Sequence, residues 1–303
     1  MTSFNYQFLY SLIIITLGYI LKRSNILKEQ DGATLARLIF NLTLPCLIIT
    51  SFNNIKIEVS LVLLIIISFV YGIFSGILGL IIFKKESRKI KGMLGMMVPG
   101  FNIGLFAYPL VEGIWGKEGL KYFGMFDMGN ALIVFGLTYL IASFYSNEQA
   151  TFNVKDVMLK MSRSIPLLTY IIVCIVSLAG LKLPAIVLDI SEIISKANMP
   201  LSLLLLGIYL NFTFDKSYLQ RIGKYLALRY VVGLGIGLLL FYFLPFENMF
   251  KYTILIGLIL PMSVATLAYS VQFGYDEKFV GTVSNVTILI SFVLLWGIGN
   301  ILL

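Results

Sequence analysis

Prolines and glycines inside a membrane-length apolar run constrain this chain more than any other feature. Residues 93–116, MLGMMVPGFNIGLFAYPLVEGIWG, are apolar and long enough to cross a bilayer, yet they contain Pro99, Gly100, Asn102, Gly104 and Pro109. Proline removes a backbone donor and clashes with the preceding turn, while glycine costs about 1 kcal/mol against alanine in a helix interior. The run is therefore expected to break, with Pro99, Gly100 and Pro109 as the breaking residues. Free N–H and C=O groups at bilayer depth are tolerated only where protein buries them or they line a wet cavity. Such a break marks a translocation site.

Hydrophobic residues make up 59% of the 303 positions and charged residues 13%, too apolar for a soluble domain. Runs of about 20 apolar residues each match a roughly 30 Å hydrocarbon core. Ten are expected, near residues 4–21, 34–52, 59–83, 93–116, 120–145, 165–181, a seventh running to Phe212, 225–244, 249–273 and 279–301. The first lacks a basic leader and a small-residue cleavage site, so it reads as a retained span. The second is interrupted at Pro45, the seventh passes through Asn198 and Pro200, and the ninth is interrupted at Pro261. Polar residues 146–160 read as a cytoplasmic linker between two halves, 1–145 and 161–303.

The net charge of +8 reads as a topology signal and implies no nucleic-acid partner. Basic residues gather at 22–37, 84–91, 155–163, 216–229 and Lys278, whereas the alternate loops hold Lys56, Lys117, Lys121, Lys182, Lys196 and Lys251. The positive-inside rule places the richer set in the cytoplasm and both termini outside the cell membrane. There is no histidine, which excludes histidine relays, His metal sites and Ser-His-Asp chemistry. Cys46 and Cys174 lie in apolar runs without a metal-ligand pattern and read as small hydrophobes. No metal and no cofactor is implied.

Four stretches then occur in order: LPCLIITSFNN around Pro45, NIGLFAYP from Asn102 to Pro109, IISKANMPLSLLLLGIYL around Pro200, and LPMSVATLAYSVQFGYDE from Leu260. Together they resemble the auxin efflux carriers, the family of plant PIN-FORMED transporters and bacterial malate or malonate permeases. Ala107 stands where the family usually has Gly. The resemblance implies a carboxylate substrate bound where the fourth and ninth spans cross, with the second and fifth lining the site and Asn130 at a polar position there. It also implies a scaffold of spans 1, 2, 6 and 7, a homodimer through that scaffold, and a moving unit of spans 3–5 and 8–10.

Folding the chain at the linker lays Pro45 on Pro200 and the fourth span on the ninth. Five spans per half require the second copy to be inverted in the membrane, which suits alternating access. The expected fold is thus all-α and polytopic, ten spans in two inverted five-helix repeats. A shift of 161 residues places Asn102 over Ser263 and Gly100 over Pro261. As N-caps, Asn102 and Ser263 would start half-helices whose positive N-termini attract an anion at mid-membrane. Thr266 adds a hydroxyl. No arginine or lysine is expected in the membrane centre, so dipoles, amides and hydroxyls would recognise a small organic carboxylate.

Asp127 in the fifth span is the candidate proton carrier, with an acid wetted from outside as the plainer alternative. Sodium coupling through an oxygen cage, or uniport, is also open. Enzyme chemistry is not expected: no H-E-x-x-H pair, membrane aspartate pair or G-x-S-x-G elbow occurs. The competing classes are an ion-conducting channel and a solute-sensing membrane protein.

Overall fold

A computed structural model describes residues 3–53, 55, 58–146, 154–211 and 216–302. Residues 147–153 of the expected linker, Lys56 and the end of the seventh span at Phe212 lie outside the described residues. Within them the chain is helical, and the one strand-like contact is an antiparallel bridge between Phe101 and Met262.

The first helices are α1 (Ser3–Arg23), α2 (Glu29–Leu38) and α3 (Leu44–Phe52). Between α2 and α3 runs a π-turn, Ile39–Thr43. It explains why Pro45 does not interrupt the span as expected. Proline cannot bond to the carbonyl four residues back and presses against it, and a π-turn moves that carbonyl aside. Glu29–Phe52 therefore remains one membrane-length helix.

After α4 (Val59–Ile82) comes α5 (Arg88–Met97), which ends at the break. The chain resumes through a second π-turn, Ile103–Ala107, into α6 (Tyr108–Leu132), a third π-turn, Ile133–Thr138, and α7 (Tyr139–Ser146). Pro109 thus occupies the first turn of α6 behind its own π-turn and breaks nothing, a correction to the expected third interruption. The real reversal is at Gly116, whose φ of 58° and ψ of −144° suit glycine alone. Tyr108 and Asp127 prove the reversal: they are 19 residues apart, roughly 28 Å along a straight helix, yet their side chains hydrogen-bond at 2.9 Å.

Helix α8 (Val154–Ser162) occupies the part of the expected linker that is described, and bends by 73° into α9 (Ile165–Leu178). Helices α10 (Ala185–Ser195) and α11 (Asn198–Tyr209) follow, with Pro200 in the first turn of α11, where its missing donor costs least. The remainder is α12 (Leu219–Leu226), a π-turn Ala227–Val231, α13 (Val232–Phe243), α14 (Asn248–Gly257), α15 (Ala265–Gln272) and α16 (Glu277–Leu302). Six helical stretches among the described residues are individually long and apolar enough to span a membrane. The other expected spans are divided at breaks or bends.

Packing gathers α1, α2, α3, α9, α10 and α11 on one side and α4 to α7 with α12 to α16 on the other. Helices α1 and α11 approach most closely at Gly18 and Gly207, where an added Cβ would strike the Leu204 and Ile15 carbonyls of the facing helix. Gly76 and Gly79 of α4 admit Pro99 and Val98, so that small-residue stripe seats the break as packing surface. Thr43 Oγ and Asn198 Oδ1 meet at 3.0 Å, each two residues before a proline of its own helix.

Candidate functional site

The site is built at two chain breaks that cross. α5 ends at Met97 and α14 at Gly257, and the extended residues beyond them pair through Phe101 and Met262. The Asn102 N–H donates to Pro261 O at 2.9 Å. Phe101 and Met262 are separated by the same 161 residues that register the two interruptions in the sequence.

Carbonyls at the ends of two half-helices need donors, and Arg229 supplies them. Its Nε and Nη2 donate to Leu260 O at 3.1 and 2.9 Å, Nη1 to Val98 O at 3.0 Å, and Nη2 to Gly100 O at 3.0 Å. Tyr225 Oη donates to Met97 O at 2.8 Å, and the guanidinium lies 4.7 Å from the Phe101 ring centroid. The side chain is 3% exposed, and no carboxylate pairs with it among the described residues. A fixed positive charge thus meets two partial negative helix ends, which satisfies the orphan carbonyls and offsets their dipoles. This corrects two expectations, that Arg229 belongs to a cytoplasmic cluster and that the membrane centre lacks a cation. The signal was present: Arg229 stands inside the apolar run expected at 225–244.

On the opposite face of the crossing lies a cavity of about 850 Å³. Phe101, Asn102, Asp127, Asn130 and Ser263 line its deep end, and Glu29, Lys160, Arg163, Glu277 and Lys278 line it where α2 and α16 begin and α8 ends, with Arg37 at the other end of α2. Asn102 Oδ1 accepts from the Leu105 N–H at 3.3 Å, which is the expected cap on the restarting helix. Its Nδ2, deeply buried, has no hydrogen-bond partner among the described residues. Ser263 is not the expected cap: Val264 is the N-cap of α15 and no side chain caps it, while Ser263 Oγ accepts from the Ala265 N–H at 3.3 Å, two residues on, because the chain turns into α15 one residue later than expected.

Thr266, expected beside them, is fully buried and turned away, its hydroxyl donating to Ser263 O at 2.7 Å. It does not line the cavity. Asn130 does, but its amide is engaged: Oδ1 accepts from the Phe101 N–H at 2.9 Å, and Nδ2 donates to Phe101 O at 3.1 Å and to Asp127 Oδ1 at 3.0 Å. Asp127 is not wetted from outside. It is 9% exposed, and its Oδ2 accepts from Tyr108 and Tyr170 at 2.9 and 3.0 Å. The two hydroxyls also touch each other. Sequence reasoning missed both tyrosines, because only the Gly116 reversal and the packing of α9 bring them to the carboxylate.

No group of His, Cys, Asp and Glu residues suited to a metal occurs among the described residues. The cysteines are free; Cys46 is buried and Cys174 half-buried.

The chain is similar to two archaeal proteins. An uncharacterized transporter of Methanothermobacter thermautotrophicus is 26% identical over 287 residues, covering 93% of each chain. An uncharacterized transporter of Methanocaldococcus jannaschii is 25% identical over 304 residues, covering 94% of this chain and 95% of its own. Residues 7–298 match the family model described as membrane transport protein. With six helices able to span a bilayer and a polar cavity under two crossed breaks, the chain belongs to the membrane transport protein family, that of the auxin efflux carriers.

Proposed function

We propose that this protein is a secondary transporter that moves a small organic carboxylate, such as malate, malonate or an auxin-like acid, across the cell membrane by alternating access. The observation that carries this reading is Asn102 Nδ2. It is a buried donor without a partner among the described residues, in a cavity where the two restarting half-helices direct their N-termini. An unpaired buried amide costs about 1–3 kcal/mol, so a ligand oxygen at this position recovers that energy. Arg229, behind the Phe101 ring, adds positive potential without facing the cavity.

Ten spans in two inverted repeats agree with the contacts between equivalent residues, Phe101 with Met262 and Thr43 with Asn198. The two packing groups match a scaffold of spans 1, 2, 6 and 7 against a moving unit of spans 3–5 and 8–10. Exposed isoleucines on α9 and α10, including Ile172, Ile175, Ile186 and Ile193, offer that scaffold a lipid or homodimer surface. Arg37, Lys160, Arg163 and Lys278 belong to the basic-rich loops. The cavity then opens to the cytoplasm, with both termini outside, and the mouth concentrates anions.

Counterflow in proteoliposomes tests the reading. A malate, malonate and indole-3-acetate panel is measured with pH and sodium varied. Saturable counterflow of one carboxylate is expected; conductive, non-saturable flux would favour a channel, and binding without flux a sensor. Proton or sodium coupling is assigned to Asp127, whose replacement by Asn should flatten the pH or sodium dependence.

A further inference from the structure

Among the described residues, Tyr170 is one of two points where the packing groups share a polar contact beside the cavity; at the other, Asn285 Nδ2 of α16 donates to the Asn211 carbonyl just past α11 at 3.0 Å. Tyr170 lies on α9, is fully buried, and meets the Phe52 ring of α3 edge-on at 5.5 Å. Its hydroxyl, however, donates to Asp127 Oδ2 on α6. Tyr108, the other phenol on that oxygen, belongs to α6 itself. The two donors differ in one mechanical respect. Movement of α6 as a body past α3 and α9 preserves Tyr108–Asp127 and separates Tyr170 from Asp127.

Beyond the tyrosine hydroxyls, this boundary near Asp127 carries a weak thiol–thioether contact, Cys174 Sγ with Met128 Sδ at 3.8 Å, and close apolar packing. Gly124 of α6 lies directly under the Phe52 ring, a surface that can slide without leaving a polar group unsatisfied. The Tyr170 bond behaves otherwise, because a hydroxyl–carboxylate hydrogen bond in a low-dielectric interior is strong and costly to leave unmade. Asp127 in turn holds Asn130, and Asn130 holds the crossing at Phe101. The same short path therefore joins the scaffold to the deep end of the cavity.

We propose that the Tyr170–Asp127 hydrogen bond is an interlock that holds the protein in its cavity-open arrangement and must break for the moving unit to cross. This rests on the alternating-access reading above. The contact gives Tyr170, which also lines the cavity, a positioning role through Asp127.

The test uses the full chain carrying Ala265→Cys at the cavity-lining start of α15, labelled with a membrane-impermeant maleimide. Intact cells report the outer side and inside-out vesicles the cytoplasmic side, with the chain lacking Ala265→Cys as background. Tyr170→Phe keeps the ring against Phe52 and removes only the hydroxyl. It should raise the outer-side labelling rate about tenfold, the scale of one hydrogen bond to a charged group. Tyr108→Phe removes the other donor and its hydroxyl contact with Tyr170 but leaves the Tyr170–Asp127 bond in place, so that rate should rise clearly less than in Tyr170→Phe. Unchanged outer labelling in Tyr170→Phe, or an equal rise in Tyr108→Phe, overturns the interlock while alternating access stands. Outer labelling absent in every variant removes alternating access and the interlock together.

Discussion

Asn130 grips the backbone of Phe101 from both sides of the peptide, accepting from its N–H at 2.9 Å and donating to its carbonyl at 3.1 Å. A side-chain amide here does the work of a neighbouring strand. Phe101 is extended at the centre of a helical protein, so neither backbone group has an intrahelical partner and each must find one elsewhere in the fold. The spare amide hydrogen goes to Asp127. Asn130 thereby joins the crossing, the buried acid and the cavity wall.

Asn130→Asp should destabilise the protein at least as much as Asn130→Ala. The new acid cannot donate to the Phe101 carbonyl and sits against the Asp127 carboxylate. Each buried group left unpaired costs about 1–3 kcal/mol, and like charges side by side add to that. Thermal unfolding in detergent measures the difference; an Asn130→Asp protein as stable as the parent would show that the grip on Phe101 is dispensable.

Asn102→Ala and Ser263→Ala should each weaken binding of the carboxylate found in the counterflow panel roughly tenfold or more. At Asn102 a lost cap costs about 0.5–2 kcal/mol, and at either residue a lost hydrogen bond to a charged group costs about 1.5–3 kcal/mol. Met97→Leu, a volume-conserving change at a fully buried position of α5, controls for packing at the break and should bind normally. Unaltered affinity in both polar variants, read by calorimetry, would move the site away from the crossing.

Arg229→Met should cost several kcal/mol of stability, because the Val98, Gly100 and Leu260 carbonyls lose their donors together. Arg229→Lys keeps the charge but not the planar fork, so its loss should be smaller yet clearly measurable. The check is the order of unfolding midpoints, parent above Lys above Met. A Met variant matching the parent would mean that the half-helix ends are satisfied in another way.

Gly116→Ala tests the reversal that brings Tyr108 to Asp127. Among the described residues nothing lies within 4 Å of an added Cβ, so no steric contact is at stake, and the effect comes from φ alone. A residue forced into this glycine region costs about 1–3 kcal/mol. The unfolding midpoint should fall by a corresponding amount, while Gly281→Ala, in helical backbone with equally open surroundings, should leave it unchanged or slightly raised.

Apolar runs by themselves determined that this chain lives in a bilayer, because no rearrangement of so few polar residues could cover a soluble surface. The breaks before Asn102 and Ser263 were legible for the same local reason. Proline and glycine spoil a helix wherever they stand, and a small polar residue that follows can cap the next one. Local chemistry could not distinguish those breaks from Pro45 and Pro109. There the tertiary structure inserted π-turns at Ile39–Thr43 and Ile103–Ala107 and kept the helices whole. Nor could it assign Arg229: its place inside an apolar run marks it as unusual but does not say what it bonds to. Its role depends on carbonyls of Val98, Gly100 and Leu260 that only the crossing of two distant segments delivers. Likewise Asp127 was visible as a buried acid, but Tyr170 reaches it from 43 residues away. Propensity is a property of a few consecutive residues, whereas satisfying a buried polar group is a property of whatever the fold places within 3 Å of it.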